Sequence, residues 1–288
     1  MSIDVLQEKI RKTKNPSVVV FEAFPDWIPP QLLEGSGEIE AYEKLYMQLL
    51  SGLKGYVGAV RFGFGSFALL GAEGITLLKK LLQEAKQQGY YVILDAPQAL
   101  SPLAAKNTAS VFGAENSMYL CDALLVSAYL GSDVLKAYLP LCQQGKSIFA
   151  VVRTANKSAS EVQDLLSGGR LVHTALADIV NRQAEGKTGK YGFSQVGVLA
   201  SASAADSLRG LRSKYAKLFL LLDGYDYPNA NAKNCSFAFD KLGHGAAACA
   251  GASVVAAWKE SECEDYVAAA VEALERMKKN LTRYITIL

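Results

Sequence analysis

Eight short apolar runs, each followed by a longer segment with helical spacing, constrain this chain more than any other feature. They are Ser17 to Phe21, Tyr56 to Val60, Tyr91 to Leu94, Ala123 to Val126, Ser147 to Val152, Val196 to Ala200, Leu218 to Leu222 and Gly245 to Ala250. The runs are continuous rather than alternating, and rich in Val, Ile, Leu and Ala. Strands covered on both faces have this composition. Between Glu73 and Gln88, apolar residues at Ile75, Leu77, Leu78, Leu81, Leu82 and Ala85 make a helical stripe, with Gly89 as its C-terminal stop. Ser207 to Tyr215 and Glu262 to Lys279 follow the same spacing. Gly37 to Leu53 predicts an extra helix after the first strand, and the polar stretch Asn181 to Gly192 predicts a mobile loop before the sixth. Eight β–α units in 288 residues predict a (β/α)8 barrel, a TIM barrel, formed as a single domain over 1–288. An open doubly wound sheet is the alternative. Phe21-Glu22-Ala23-Phe24-Pro25 stands where a Gly-x-Gly-x-x-Gly turn would follow the first strand, which argues against a dinucleotide site of that kind.

Composition removes several classes of function. Lys and Arg number 30 against 28 Asp and Glu, and no basic block occurs, so neither nucleic acid nor an anionic membrane is an expected partner. No apolar run approaches the roughly 18 residues of a membrane span, and the charged N-terminal segment lacks a signal-peptide core. A cytoplasmic location is the expectation. The five cysteines, Cys121, Cys142, Cys235, Cys249 and Cys263, are far apart and form no Cys-x-x-Cys pair, so free thiols are expected. With only two histidines, His173 and His244, a His-based metal site and a Ser-His-Asp triad are both disfavoured by scarcity. His244 is placed at the bottom face of the barrel in a structural role, and His173 on a solvent-facing helix surface.

Catalytic groups of such barrels sit at the C-terminal ends of strands. Asp95 ends the third run. It is read either as a remnant catalytic carboxylate or as a structural acid paired with Arg61 on the neighbouring strand, since an unpaired buried carboxylate is costly. Further candidates lie after later strands. Tyr129 and Asp133 suit catalysis or loop packing and helix capping. Arg153 and Asn156 suit a ligand or loop-bracing hydrogen bonds. Ser201 and Ser203 suit helix capping or an anion, and Tyr225 and Tyr227 suit stacking on a flat ring or packing on neighbours.

Several segments carry a resemblance. Tyr91-Val92-Ile93-Leu94-Asp95-Ala96-Pro97 through Leu100 is similar to a strand ending in Asp-x-Lys-x-x-Asp. Ala68 to Gly74, with Leu77-Leu78-Lys79-Lys80, follows the second strand. Ala128-Tyr129-Leu130-Gly131-Ser132-Asp133 is similar to Asn-Pro-Tyr-Leu-Gly-x-Asp. Val152-Arg153-Thr154-Ala155-Asn156 with Gln163-Asp164-Leu165 is similar to Val-Arg-Thr-Ser-Asn…Gln-Asp-Leu. With Gly224-Tyr225 and Gly245 to Trp258, these segments resemble, in order, orotidine 5'-monophosphate decarboxylases of the longer bacterial type. The likeness runs from about Ser17 to Trp258.

The resemblance implies decarboxylation of orotidine 5'-phosphate to uridine 5'-phosphate without metal or organic cofactor, in pyrimidine biosynthesis, by a dimer whose sites lie at the subunit interface. It implies an array of lysines and aspartates in which a lysine protonates the carbanion left by the carboxylate. In this chain those positions are altered. The Lys-Pro-Gln after the second strand is Arg61-Phe62-Gly63. The catalytic lysine is Pro97, the aspartate that reaches a partner's site is Leu100, a neighbouring threonine is Ala104, and the aspartate after the first strand is Ala23. The phosphate-holding Gln and Arg are Pro228 and Ala252, and Asp223 and Asp226 bring negative charge to the same loop. Asp95 and Arg61 are thus the remnants of the catalytic array. Tyr129, Arg153, Asn156, Ser201, Ser203 and Tyr225 are the remaining candidates for a nucleotide monophosphate. The altered array predicts a barrel that has lost catalysis and acts as a binding or partner subunit, paired with itself or with an active paralogue. One alternative is an active decarboxylase rescued by lysines from elsewhere, such as Lys54 or Lys106. Another is a different lyase or isomerase on the same barrel.

Overall fold

The computed structural model describes residues 1–114, 116–261 and 265–288. The expected helix start at Glu262 and the thiol of Cys263 lie outside them. Eight parallel strands, β1 (Ser17–Phe21), β2 (Ala59–Gly63), β3 (Tyr91–Asp95), β4 (Ala123–Ser127), β5 (Ser147–Val151), β6 (Val196–Ser201), β7 (Leu220–Asp223) and β8 (Ala246–Ala250), form one closed barrel. β1 closes the ring by pairing with both β2 and β8, with Val18 opposite Ala59 on one side and Cys249 on the other. The doubly wound alternative is excluded by this closure.

The continuous apolar runs are explained by two cores, one on each face of the sheet. Val18, Tyr91, Ile93, Leu125, Phe149 and Leu221 fill the barrel interior. Their strand neighbours Val19, Val92, Leu94, Leu124 and Leu222 point outward under the helices. Since side chains alternate along a strand, both sets must be apolar. The helix Gly71–Gln87 shows the second half of the arrangement. Leu77, Leu78, Leu81 and Leu82 lie on its buried face, each contributing about 1.5–3 kcal/mol by leaving water. Gly89, with φ of 89°, ends it as expected.

The helix expected after β1 spans Glu38–Gly52 and carries the chain to β2. A further helix, Ser2–Thr13, precedes β1 and closes the bottom of the barrel, placing Ile3, Leu6 and Ile10 in the interior core. Ser2 Oγ lies 2.9 Å from the Tyr91 hydroxyl and donates to the Asp122 carbonyl at 2.9 Å, pinning the plug to β3 and β4.

Three expectations are corrected. The second strand is Ala59–Gly63, three residues later than the apolar run at Tyr56 to Val60. Arg61 ends that run in the sequence but belongs to the strand, because its charge meets partners inside the barrel. The polar stretch from Asn181 is helical to Ala184, since Val180 and Ala184 bury against the barrel. The loop after it is tied by Gly189 N–H to the Phe193 carbonyl at 2.8 Å and Gln195 N–H to the Lys187 carbonyl at 3.0 Å. His173 is not solvent-facing: it is 4% exposed and bonded on both ring nitrogens. His244 is buried at the bottom face, 3.0 Å from the Leu288 carbonyl. Cys121, Cys142, Cys235 and Cys249 are free and buried, as expected. No helix among the described residues is long and apolar enough to cross a membrane.

Candidate functional site

The C-terminal ends of the strands converge on a mouth dominated by one arginine. Arg61 points inward because odd positions of β2 face the barrel axis. Its guanidinium donates to Asp95 Oδ2 on β3 at 2.8 Å and to Asp223 Oδ1 on β7 at 2.8 Å. It thus spans the mouth from one side to the other. Burial works against its charge, but Asp223 and Asp95 more than offset this and hold its pKa well above the ordinary arginine value. Glu22, just past β1, adds a third carboxyl. Its pKa is raised, chiefly by burial. A Cβ on Gly63 would meet the Glu22 carboxylate, which would have to shift. Arg61 set among Asp95, Asp223 and Glu22 makes this part of the mouth a poor receiver of a phosphate dianion.

The positions that the resemblance assigns to the proton-donating lysine and to the aspartate that reaches a partner are occupied by Pro97 and Leu100, which have no proton to give. Pro97 is half-buried in the loop after β3, and Leu100 is 84% exposed on its outer side. Neither candidate rescue lysine is placed to help. Lys54 is exposed in the turn before β2, at the opposite end of the barrel, and Lys106 is exposed on the helix Pro102–Thr108.

The region after β8 is filled from within. Asp226, in the loop after β7, accepts from Gly251 N–H at 2.6 Å and from Ser253 N–H at 3.3 Å, and its carboxylate also takes the Ser253 hydroxyl. These backbone donors lie where the resemblance places part of the phosphate grip. A carboxylate of the chain itself already satisfies them. Pro228 and Ala252 are exposed nearby.

The remaining candidates brace loops. The Arg153 fork binds Asp164 through two bonds, Nε to Oδ1 at 3.0 Å and Nη2 to Oδ2 at 2.8 Å. Gln163 bonds both the amide and the hydroxyl of Thr154 at 2.8 Å, and Thr154 in turn donates to Asn156 Oδ1 at 2.6 Å. The Arg-Thr-x-Asn…Gln-Asp spacing is therefore a folded clamp. Tyr129 donates to the Val152 carbonyl at 2.9 Å, and burial pushes its hydroxyl pKa up to about 12. Asp133 accepts from the Val134 amide at 2.9 Å in the first turn of the next helix. Ser201 and Ser203 lie 2.8 Å apart, oxygen to oxygen. Tyr225 packs against the outer core, and Tyr227 is exposed. Sequence reasoning found the Arg61–Asp95 pair but missed Asp223 as its second partner and Glu22 altogether. A carboxylate closing a barrel strand was the available signal for Asp223. Among the described residues, no group of three or more His, Cys, Asp or Glu is placed to hold a metal ion.

The fold and the polar mouth define a parallel eight-stranded barrel with its chemistry-bearing positions at the C-terminal strand ends. No family model matches the chain. A curated orotidine 5'-phosphate decarboxylase of Rhodopirellula baltica is 27% identical over 227 residues, covering 77% of this chain and 75% of that one. That of Caldicellulosiruptor saccharolyticus is 23% identical over 301 residues, 98% of each chain. The solved structure of Leishmania donovani OMP decarboxylase superposes with a TM-score of 0.72 at 22% identity, covering 97% of this chain and 98% of that one. Over nearly its whole length the chain is similar in sequence to orotidine 5'-phosphate decarboxylases, and it shares their fold.

Proposed function

We propose that this chain is a family barrel, acting as one domain over 1–288, that no longer decarboxylates and works as a nucleotide-binding or partner subunit in the cytoplasm. The observation that carries the reading is the Arg61 clasp. The Arg61 guanidinium is held between two carboxylates at 2.8 Å each. A guanidinium so paired is a poor proton donor, and a positioned general acid contributes about 10²–10⁴ in rate. The Asp226 carboxylate on the Gly251 and Ser253 amides supports the same reading, because a substrate phosphate would have to displace it. Leu100 supports pairing with a second copy or with an active relative: it stands where the resemblance places a residue that reaches a partner, and Leu103 beside it is also exposed.

The name shared by full-length relatives favours a second reading, retained decarboxylation through replacement residues. One experiment separates the two. The protein is titrated with uridine 5'-phosphate in a thermal-shift measurement beside a direct decarboxylation assay on orotidine 5'-phosphate. Stabilisation without turnover is expected. Turnover would overturn the reading, and neither response would leave a partner-binding scaffold.

A further inference from the structure

On the flank of the barrel, between the helices Val172–Ala184 and Ala205–Lys214, lies a cavity of about 640 Å³ that reaches Leu171, Thr174 and Ser207. Three side chains on its wall form a hydrogen-bonded chain. Asp164 Oδ1 is 3.1 Å from His173 Nδ1, and His173 Nε2 is 3.2 Å from Ser207 Oγ. A short hairpin, in which Leu166 pairs with Leu171 and Ser167 with Arg170, folds Asp164 back onto His173. The Gln163 carbonyl, 3.0 Å away, is a second acceptor at Nδ1. Two acceptors there assign the ring proton to Nδ1, which leaves the Nε2 lone pair facing the serine hydroxyl. Hydrogen bonding from Arg153 lowers the Asp164 pKa, so that carboxyl stays ionised. Scarcity of histidine therefore does not exclude a triad, because one buried histidine suffices.

We propose that Ser207, His173 and Asp164 form a nucleophile, base and orienting group for a small carboxylic ester. The cavity shares Arg153 and Ser203 with the candidates at the strand ends but not the Arg61 clasp, so the proposal does not depend on the loss of decarboxylation proposed above. Ser207 Oγ bonds to the ester carbonyl carbon while its proton passes to His173 Nε2. The bond to the alcohol oxygen breaks, and the alcohol leaves with that proton. Water then attacks the acyl-serine and gives a proton to Nε2. The acid is released and the proton returns to Ser207 Oγ. One water is consumed and nothing is oxidised or reduced. Charge developing on the carbonyl oxygen faces the first turn of the helix Ala205–Lys214. Ala204, at its N-cap, has no side chain to occupy those amides, and Ala204, Ala205 and Asp206 line the cavity.

The test uses the full-length protein, a fluorophosphonate probe and p-nitrophenyl acetate. Expected is one probe per chain, located on Ser207 by peptide mass, together with ester hydrolysis that Ser207→Ala abolishes. His173→Gln should slow labelling about 100-fold or more, through loss of the base. Because His173 is buried, Asp164→Asn is run beside it with a melting curve for each variant. It should slow labelling at least about tenfold through loss of the negative charge that stabilises the imidazolium as Ser207 reacts. An unlabelled Ser207, hydrolysis that survives Ser207→Ala, or a labelling rate unchanged in a folded Asp164→Asn protein would each overturn the proposal.

Discussion

Replacing Arg61 with methionine tests the account of the mouth most directly. Methionine keeps the length and the apolar stem of the side chain, so packing against the interior core changes little. What changes is that Asp95 and Asp223 lose their shared cation, each from 2.8 Å. Removing one member of a buried ion pair costs about 3–5 kcal/mol. The two carboxylates are 27% and 31% exposed, so water recovers part of that cost. The expected loss is about 2–4 kcal/mol, or about 3–7 °C in Tm for a domain of this size. Adding Asp95→Asn and Asp223→Asn removes the stranded charges and should return most of the stability, because the penalty lies in the unpaired carboxylates. Urea unfolding, followed by circular dichroism and tryptophan fluorescence, measures both variants. If Arg61→Met unfolds at the same urea concentration as the parent, or if the triple variant is no more stable than the single one, the clasp is not what holds the mouth together.

Three further outcomes follow from the same structure. Pro97→Lys alone should give no decarboxylation of orotidine 5'-phosphate, because Leu100 leaves the array without its other aspartate; measurable carbon dioxide release by that variant would sink the reading. Asp164, whose pKa is lowered by its bonds to Arg153, stabilises the fold above the ordinary aspartate range and loses that contribution as pH falls through its folded pKa. Asp164→Asn should accordingly flatten the acid side of the stability-versus-pH curve, and an unchanged curve would refute the assignment. Glu22 has the opposite sign: burial raises its pKa, so the folded state holds the proton more tightly and stability falls as pH rises from the ordinary glutamate value through the folded one. Glu22→Gln should therefore raise Tm at neutral pH and leave it unchanged in acid, and a lowered neutral Tm would contradict the desolvation argument.

The barrel was legible in the sequence because its rule is local. A strand covered on both faces must be apolar at every position, and a helix lying on it must be apolar every three or four residues. Those patterns give the number and order of the strands. They misplaced β2 by three residues because Arg61 looks like the end of an apolar run, although its strand continues to Gly63. The Arg61–Asp95 pair was also readable, since the two residues sit near the ends of neighbouring strands. What the tertiary structure alone decided are the partnerships between distant segments. Asp223 lies 162 residues from Arg61 and reaches it only across a closed barrel. Asp226 finds the amides of Gly251 and Ser253 through the geometry of two loops. His173 has a polar face only because a hairpin returns Asp164 to it and the next helix delivers Ser207. Periodicity records which face of an element is buried. Which charges meet depends on how the ring closes and on where each loop turns back, and neither is written in the spacing of residues along one element.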